Sequence, residues 1–248
     1  MNHRILPGGQ RYTDTPLGVL CLESWFAKPL GHLRHPRSFD YPVVYEVMEG
    51  VDIPGLLHHP GDELLELLID RARFLEEGGV RVVSGSCGFM ARYQRQVAEA
   101  VSVPVVLSSL TLLPWLEIVH GPSARLGVLT ADADALGEAH LRGAGRASGT
   151  DGLGIEGLQA APEFREVILE GRRHDLDMAL IAEEVAAATR RLMARGPLEA
   201  IVLECTDLSA FADVVREVSG LPVYDIVQAI DLVVAGQPSP STRRECRP

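Results

Sequence analysis

One design occurs twice in this chain of 248 residues. Val82-Val83-Ser84-Gly85-Ser86-Cys87-Gly88-Phe89-Met90 is an apolar run that breaks at small residues, places a cysteine and continues into a helical pattern. Ile201-Val202-Leu203-Glu204-Cys205-Thr206-Asp207-Leu208 repeats it 118 residues later. The register holds on both sides. Gly78 and Gly196, Tyr93 and Phe211, Val97 and Val215, Glu99 and Glu217, Pro104 and Pro222, and Val105 and Val223 are each 118 apart. Each cysteine stands 17 residues before a proline that opens another short apolar run. A β-branched run ending at small residues reads as a buried strand closing in a tight turn. A strand–Cys–helix–strand unit is therefore duplicated, and two copies packed face to face would aim both thiols at one cleft.

The rest of the chain alternates strands with helices. Leu17 to Leu22 reads as the first strand, ending at Glu23-Ser24. A long loop follows from Trp25 to about Tyr45, with His32, Arg34, His35 and Arg37. A loop of that length is more often functional than idle; these four side chains are expected to be solvated, with a part in a lid as the alternative. Val43 to Val47 is a short strand or edge segment. Asp62 is expected to cap a helix bearing Leu64, Leu65, Leu68, Ile69, Ala72 and Leu75, stopped by Gly78-Gly79. After the first cysteine unit, Ser108 to Thr111 opens a short helix containing Pro114 and Trp115. Arg125 to Thr130 repeats the Leu-Gly-Val pattern of the first strand. Asp132 and Asp134 then resemble helix-cap residues. Gly143 to Gly154 reads as a surface connection, and no GxGxxG follows a strand there, which excludes a dinucleotide site. A possible strand at Ile155 to Leu158 precedes a helix expected to start at His174-Asp175, with Met178, Ile181, Val185, Leu192 and Met193 on one face. A strand at Pro222 to Tyr224 and a helix from about Ile226 to Val234 end the pattern.

Such alternation predicts α/β architecture with parallel sheets. Ligands bind such sheets beyond the carboxyl ends of the strands, where Cys87, Cys205, Glu23-Ser24 and Thr130 all fall. Composition narrows the function. With net charge −11, and no basic run or aromatic–basic stripe, nucleic acid is an unexpected partner. No apolar run approaches the ~18 residues of a membrane span, and the amino end lacks a signal-peptide core, so a cytoplasmic enzyme is expected. Four cysteines without close pairs make neither a disulfide framework nor a CxxC zinc site. The adjacent His58-His59 pair at a loop tip is expected to be solvated, so no metal is expected. Cys21 reads as core packing, and Cys246 in the Pro/Ser/Arg-rich tail has no evident role.

A lone buried cysteine is usually a small hydrophobe; two in symmetric places point to proton transfer. Removing a proton from one face of a carbon beside a carboxylate and returning one to the other needs a base and an acid, and cysteine serves as either. A thiol at a helix amino end should ionise more readily than a free one. Backbone N–H groups and the hydroxyls near Ser86, Gly88, Thr130 and Thr206 are placed to stabilise a carbanion.

Gly-Ser-Cys-Gly-Phe and Glu-Cys-Thr-Asp, half a chain apart, resemble the two catalytic motifs of the aspartate/glutamate racemase superfamily. Glu23-Ser24 after the Leu-Gly-Val strand, and Gly127 to Thr130, resemble its substrate-binding segments. The resemblance spans nearly the whole chain. It implies two pseudo-symmetric Rossmann-like domains (14–110 plus 221–248, and 111–220), an active site in the cleft between them, no cofactor, and a homodimer. It implies that Cys87 and Cys205 are the two bases of a racemase or epimerase acting on a small carboxylate. Ser86, Gly88, Thr130 and Thr206 would hold the carboxylate or enolate-like intermediate, and Glu23 or Asp207 would face an amino group. Ser24 and Phe89 would complete the site. Cell-wall glutamate racemases carry Cys-Asn-Thr and Cys-Thr-His at these places; Phe89 implies a less polar wall here. Hydantoin racemases, maleate isomerases and arylmalonate decarboxylases share the resemblance and are the alternatives, with a non-catalytic carboxylate binder on the same scaffold as a further one.

Overall fold

The computed structural model describes residues 8–58, 60–121 and 123–238. The amino half contains β1 (Leu17–Leu22), β2 (Val43–Met48), α1 (Ile53–His58), α2 (Asp62–Gly78), β3 (Val82–Gly85), α3 (Gln94–Ala100), β4 (Val105–Val106) and α4 (Leu113–His120). The second half contains β5 (Leu126–Thr130), α5 (Glu138–Gly143), β6 (Gly154–Gly157), α6 (Pro162–Phe164), α7 (Met178–Met193), β7 (Ala200–Leu203), α8 (Ala212–Ser219), β8 (Val223–Tyr224) and α9 (Ile226–Ala235). Both sheets are four-stranded and wholly parallel, in the order β2-β1-β3-β4 and β6-β5-β7-β8. The 118-residue echo is thus a repeat of topology: in each half the strand leading to a cysteine lies beside the Leu-Gly-Val strand.

The central strands β1, β3, β5 and β7 are buried along their whole length. That suits strands covered by helices on both faces, which read as unbroken apolar runs. Helix α2 covers the first sheet with Leu68, Ala72 and Leu75 and ends at Gly79, whose φ of 103° is the left-handed cap that glycine tolerates. Helix α7 covers the second sheet with Ile181, Val185, Ala188 and Leu192.

Several local expectations are corrected. Helix α7 starts at Met178 and not at His174, because Asp177 accepts the N–H groups of Ala179 and Leu180 at 2.9 and 3.1 Å and so forms the cap. Asp132 caps a turn through the N–H groups of Asp134 and Ala135, while the nearest helix, α5, begins six residues on at Glu138. Gly61 precedes α2 as its cap residue, with Asp62 in the first turn. The segments after the two cysteines, Gly88–Tyr93 and Thr206–Phe211, are 3₁₀ turns that pass into α3 and α8. The seam expected at 221 cuts ahead of β8, yet β8 pairs with β7 in the second sheet, and only α9 returns to pack on β3. Cys246 and His59 lie outside the described residues.

The halves are joined through polar bonds as well as apolar packing. Ser109 Oγ donates to the Leu203 carbonyl at 2.6 Å, and Thr206 Oγ1 to the Ser86 carbonyl at 2.5 Å. Gly143, at the end of α5, lies directly against the Ala91 carbonyl, so a Cβ there would overlap the 88–93 turn. We expect Gly143→Ala to force these elements apart and cost about 2 kcal/mol, measured by urea unfolding. A loss below ~0.5 kcal/mol, the usual scale of a neutral surface change, would show that the contact yields freely.

Candidate active site

Beyond the strand ends the two sheets continue alike. Ser86 N–H donates to the Leu20 carbonyl at 2.9 Å and Glu204 N–H to the Leu129 carbonyl at 2.8 Å. Each thiol-bearing residue then opens a turn: Met90 N–H donates to the Cys87 carbonyl, and Leu208 N–H to the Cys205 carbonyl. This matched geometry brings Cys87 and Cys205 to the wall of one narrow pocket of about 20 Å³, together with Ser24, Arg34, Ser86, Phe89 and Asp207. That is room for a single water. Leu22, Ile53, Leu57, Ala131, Ile168 and Leu169 supply the apolar remainder of the wall. An outer hollow of about 240 Å³ shares Ser24, Ile53, Ile168 and Leu169 with it, so α1 and the π-helical turn Arg165–Leu169 form the partition between them.

The thiols are not acidic. Burial pushes Cys87 well above the ordinary thiol range, and the nearby Glu204 adds to this; the Phe89 N–H favours the thiolate but does not outweigh them. Cys205 is raised by burial, then by Asp207, Glu204 and Cys87, against the Asp207 N–H. The expectation of an easily ionised thiol is thereby reversed: its turn is short, and desolvation beside carboxylates overrides the local amides.

Asp207 behaves oppositely. Burial works against its charge, but the His32 hydrogen bond and the positive Lys28 outweigh this and hold it below the usual aspartate value. His32 Nε2 lies 2.6 Å from Asp207 Oδ1, while His32 Nδ1 accepts the Arg34 N–H at 2.8 Å. These partners assign the proton to Nε2, so a neutral histidine donates to a carboxylate. Burial keeps His32 neutral, with Lys28 and Arg34 adding to the effect. Cys205 Sγ donates to the other Asp207 oxygen, Oδ2, at 3.4 Å. His32, Asp207 and Cys205 therefore form one chain ending at the cavity.

The sequence reading expected His32 and Arg34 to be solvated. His32 is instead 1% exposed, and Arg34 lines the cavity. Only their alternates turn outward: the His35 ring merely accepts the Arg37 N–H at the surface. Glu23 does not face the cavity, because its Oε2 accepts the Gly50 N–H at 2.8 Å. Gly88, Thr130 and Thr206 stand behind the wall. The Thr206 hydroxyl is committed to Ser86, and Thr130 Oγ1 donates to Glu204 Oε2 at 2.7 Å. Cys21 is buried core as expected, its thiol pushed up to about 11 by burial. Among the described residues no cluster of three His, Cys, Asp or Glu side chains is placed to hold a metal ion, and no helix is long and apolar enough to cross a membrane.

Glu204 carried no expected role. It is fully buried; Oε1 has no hydrogen-bond partner among the described residues and occupies the place a Cβ on Gly88 would need. A carboxylate closing the apolar run of β7 was the available signal, since such groups are buried only for a reason.

Comparison with known proteins places this geometry. No protein-family model matches the chain. A dimethylsulfoniopropionate lyase of Durusdinium sp. clade D is 33% identical over 233 residues, covering 89% of this chain and 74% of its own length. The chain belongs to the dimethylsulfoniopropionate lyase family. Within that family, dimethylsulfoniopropionate lyase 6 of Emiliania huxleyi (strain CCMP1516) is 30% identical over 230 residues, 88% of this chain and 59% of the relative, so the chain spans well under two thirds of that longer member. The fold is like that of solved glutamate racemases and arylmalonate decarboxylase. Glutamate racemase of Francisella tularensis subsp. tularensis SCHU S4 superimposes with a TM-score of 0.57 at 15% identity, over 90% of this chain and 80% of that one. Unliganded arylmalonate decarboxylase superimposes at 0.53 and 20% identity, over 91% and 94%.

Glu204 has a measurable consequence. Burial raises its pKa from 4.5 to about 7, against the Thr130 and Ala131 hydrogen bonds. Folded protein thus binds this proton more tightly than unfolded protein. The stability so gained is complete below the unfolded value of 4.5 and is lost as pH rises through about 7. The loss is about 3 kcal/mol. Asp207, held low, acts only under acid conditions and in the opposite sense. We expect the stability difference between wild type and Glu204→Gln to shift against wild type by about 3 kcal/mol from pH 4.5 to pH 8 in urea unfolding. A difference that stays constant over that range would refute a neutral buried Glu204.

Proposed function

We propose that the protein is a cofactor-independent lyase that removes a proton from the carbon beside a carboxylate and expels a sulfonium group from the next carbon, converting dimethylsulfoniopropionate to acrylate and dimethyl sulfide. The observation that carries this reading is the pair of thiols on one narrow pocket, one of them bonded to an ionised aspartate. The names of the family relatives supply the leaving group.

Cys205 is the base in this scheme. Its proton passes to Asp207 Oδ2, the acceptor it already touches, and His32 holds that carboxylate in place through the other oxygen. The thiolate takes the α-proton; the C–H pair becomes the Cα=Cβ bond; the Cβ–S bond breaks and its pair leaves on sulfur as neutral dimethyl sulfide. Cys87 stands across the cavity as a proton donor to the opposite face and is dispensable for elimination itself. The narrowness of the pocket limits the water present at the step, and a substrate larger than a water must widen it.

A second reading keeps both thiols active: proton removal by one and return by the other, the 1,1-transfer of a racemase or epimerase. The symmetric placement of Cys87 and Cys205 favours it. Reaction in heavy water with proton NMR separates the two. Elimination releases acrylate and leaves recovered substrate unlabelled, whereas two-base transfer labels the α-carbon of recovered substrate and releases no acrylate. For elimination, Cys205→Ser should lower kcat about a thousandfold, within the range for a lost general base, and Cys87→Ser by less. Near-normal dimethyl sulfide release from Cys205→Ser, followed by gas chromatography, would exclude it as the base.

A further inference from the structure

We infer that Arg34 is the anchor for the substrate carboxylate, through the free edge of its guanidinium. This rests on the α-proton chemistry proposed above and specifies which end of the substrate the cavity holds.

Three observations carry it. Arg34 lines the cavity that both thiols line. Its Nη1 is already used, donating to the Leu22 carbonyl at 3.0 Å and to Ser24 Oγ at 2.8 Å. These bonds fix the plane of the group and leave Nε and Nη2 without a hydrogen-bond partner among the described residues. The Nε–Nη2 edge is one of the two that bind a carboxylate through parallel hydrogen bonds. Nor does any acid among the described residues form an ion pair with Arg34, whereas Arg146, the more buried arginine, pairs with Glu117.

The charge around the cavity agrees. Lys28 lies beside the same Ser24 hydroxyl, its Nζ 3.1 Å away and 3.0 Å from the centroid of the Phe26 ring. Arg34 and Lys28 are two cations against the single ionised Asp207, with His32 neutral. A half-buried guanidinium without an anion beside it is costly to leave so, and the carboxylate end of a ligand supplies that local partner. The two cations meet at Ser24, and Leu57, Phe89, Ile168 and Leu169 in the same lining offer hydrocarbon to the rest of the ligand. The ligand class is accordingly a short monocarboxylate with a compact far end, the methyl groups of a sulfonium included, held so that its α-carbon lies between the anchor and the thiols.

Binding, not turnover, tests this. Propionate and its neutral isostere propionamide are titrated into wild type, Arg34→Gln and Arg34→Lys by isothermal calorimetry, with circular dichroism and thermal unfolding confirming the fold of each variant. Wild type should prefer propionate over propionamide by about tenfold to a hundredfold, the range of a charge-assisted pair. Arg34→Gln should lose that preference, and Arg34→Lys should keep part of it. Should Arg34→Gln fail to fold, Arg34→Lys alone decides: an undiminished preference in it overturns the bidentate anchor. Equal propionate affinity in Arg34→Gln and wild type overturns the inference outright, as does a wild type indifferent to the charge of the probe. If propionate binding depends on Arg34 but no acrylate forms from dimethylsulfoniopropionate, the anchor stands and the elimination reading falls.

Discussion

The site depends on how closely two backbone turns approach each other. Gly88 lies so near Glu204 that no side-chain atom fits between them, and Thr206 bonds across to Ser86 just beside that contact. Each turn by itself would present a cysteine to solvent at the carboxyl end of a central strand. Pressed together, they bury each other's polar groups and face both sulfurs onto a space the size of a water molecule. Desolvation then governs the acidic groups present: Cys87, Cys205 and Glu204 are driven towards their neutral forms. Asp207 alone escapes, because it has a buried hydrogen-bond donor of its own in His32. The symmetry of the fold is therefore broken in its electrostatics, and the Asp207 chain gives Cys205 an acceptor that Cys87 lacks among the described residues.

What could be read from the sequence was whatever is local or repeated. The central strands and the helices α2 and α7 follow from apolar runs and one-sided periodicity, and the 118-residue echo anticipated the matching sheet orders. The two cysteines were found because strand ends place them. His32 was not found, because its partner Asp207 lies 175 residues away and only the path of the 25–42 loop across the strand ends brings them together. Thr130 and Thr206 stand behind the pocket wall, and Glu23 lines the outer hollow, for a related reason. A hydroxyl or carboxylate at a strand end is as often spent on holding a turn as on a ligand, and only the bond partners tell which. The thiol acidity failed because the rule for helix amino ends assumes a helix and access to solvent, whereas here a 3₁₀ turn is buried beside two acids.

A raised thiol pKa suits a base acting on carbon. The α-hydrogen of a carboxylate is a very weak acid, and a thiolate that is costly to form is correspondingly strong at taking it. The difficulty is forming that thiolate: Asp207 Oδ2 is the acceptor within reach of the proton, but its own charge opposes the thiolate and its low pKa makes the transfer uphill. The proposed leaving group then matters. Thiolate and sulfonium are an anion and a cation, and elimination turns them into a thiol and a sulfide, both neutral. An apolar wall of Leu57, Phe89, Ile168 and Leu169 that opposes the charged pair favours the neutral one. In racemisation the charge only moves from sulfur onto the substrate, and the same wall gives no such gain. On the proposed reading, a narrow, largely apolar pocket that also carries Arg34 is thus better matched to cleavage of an onium carboxylate than to inversion of an amino acid.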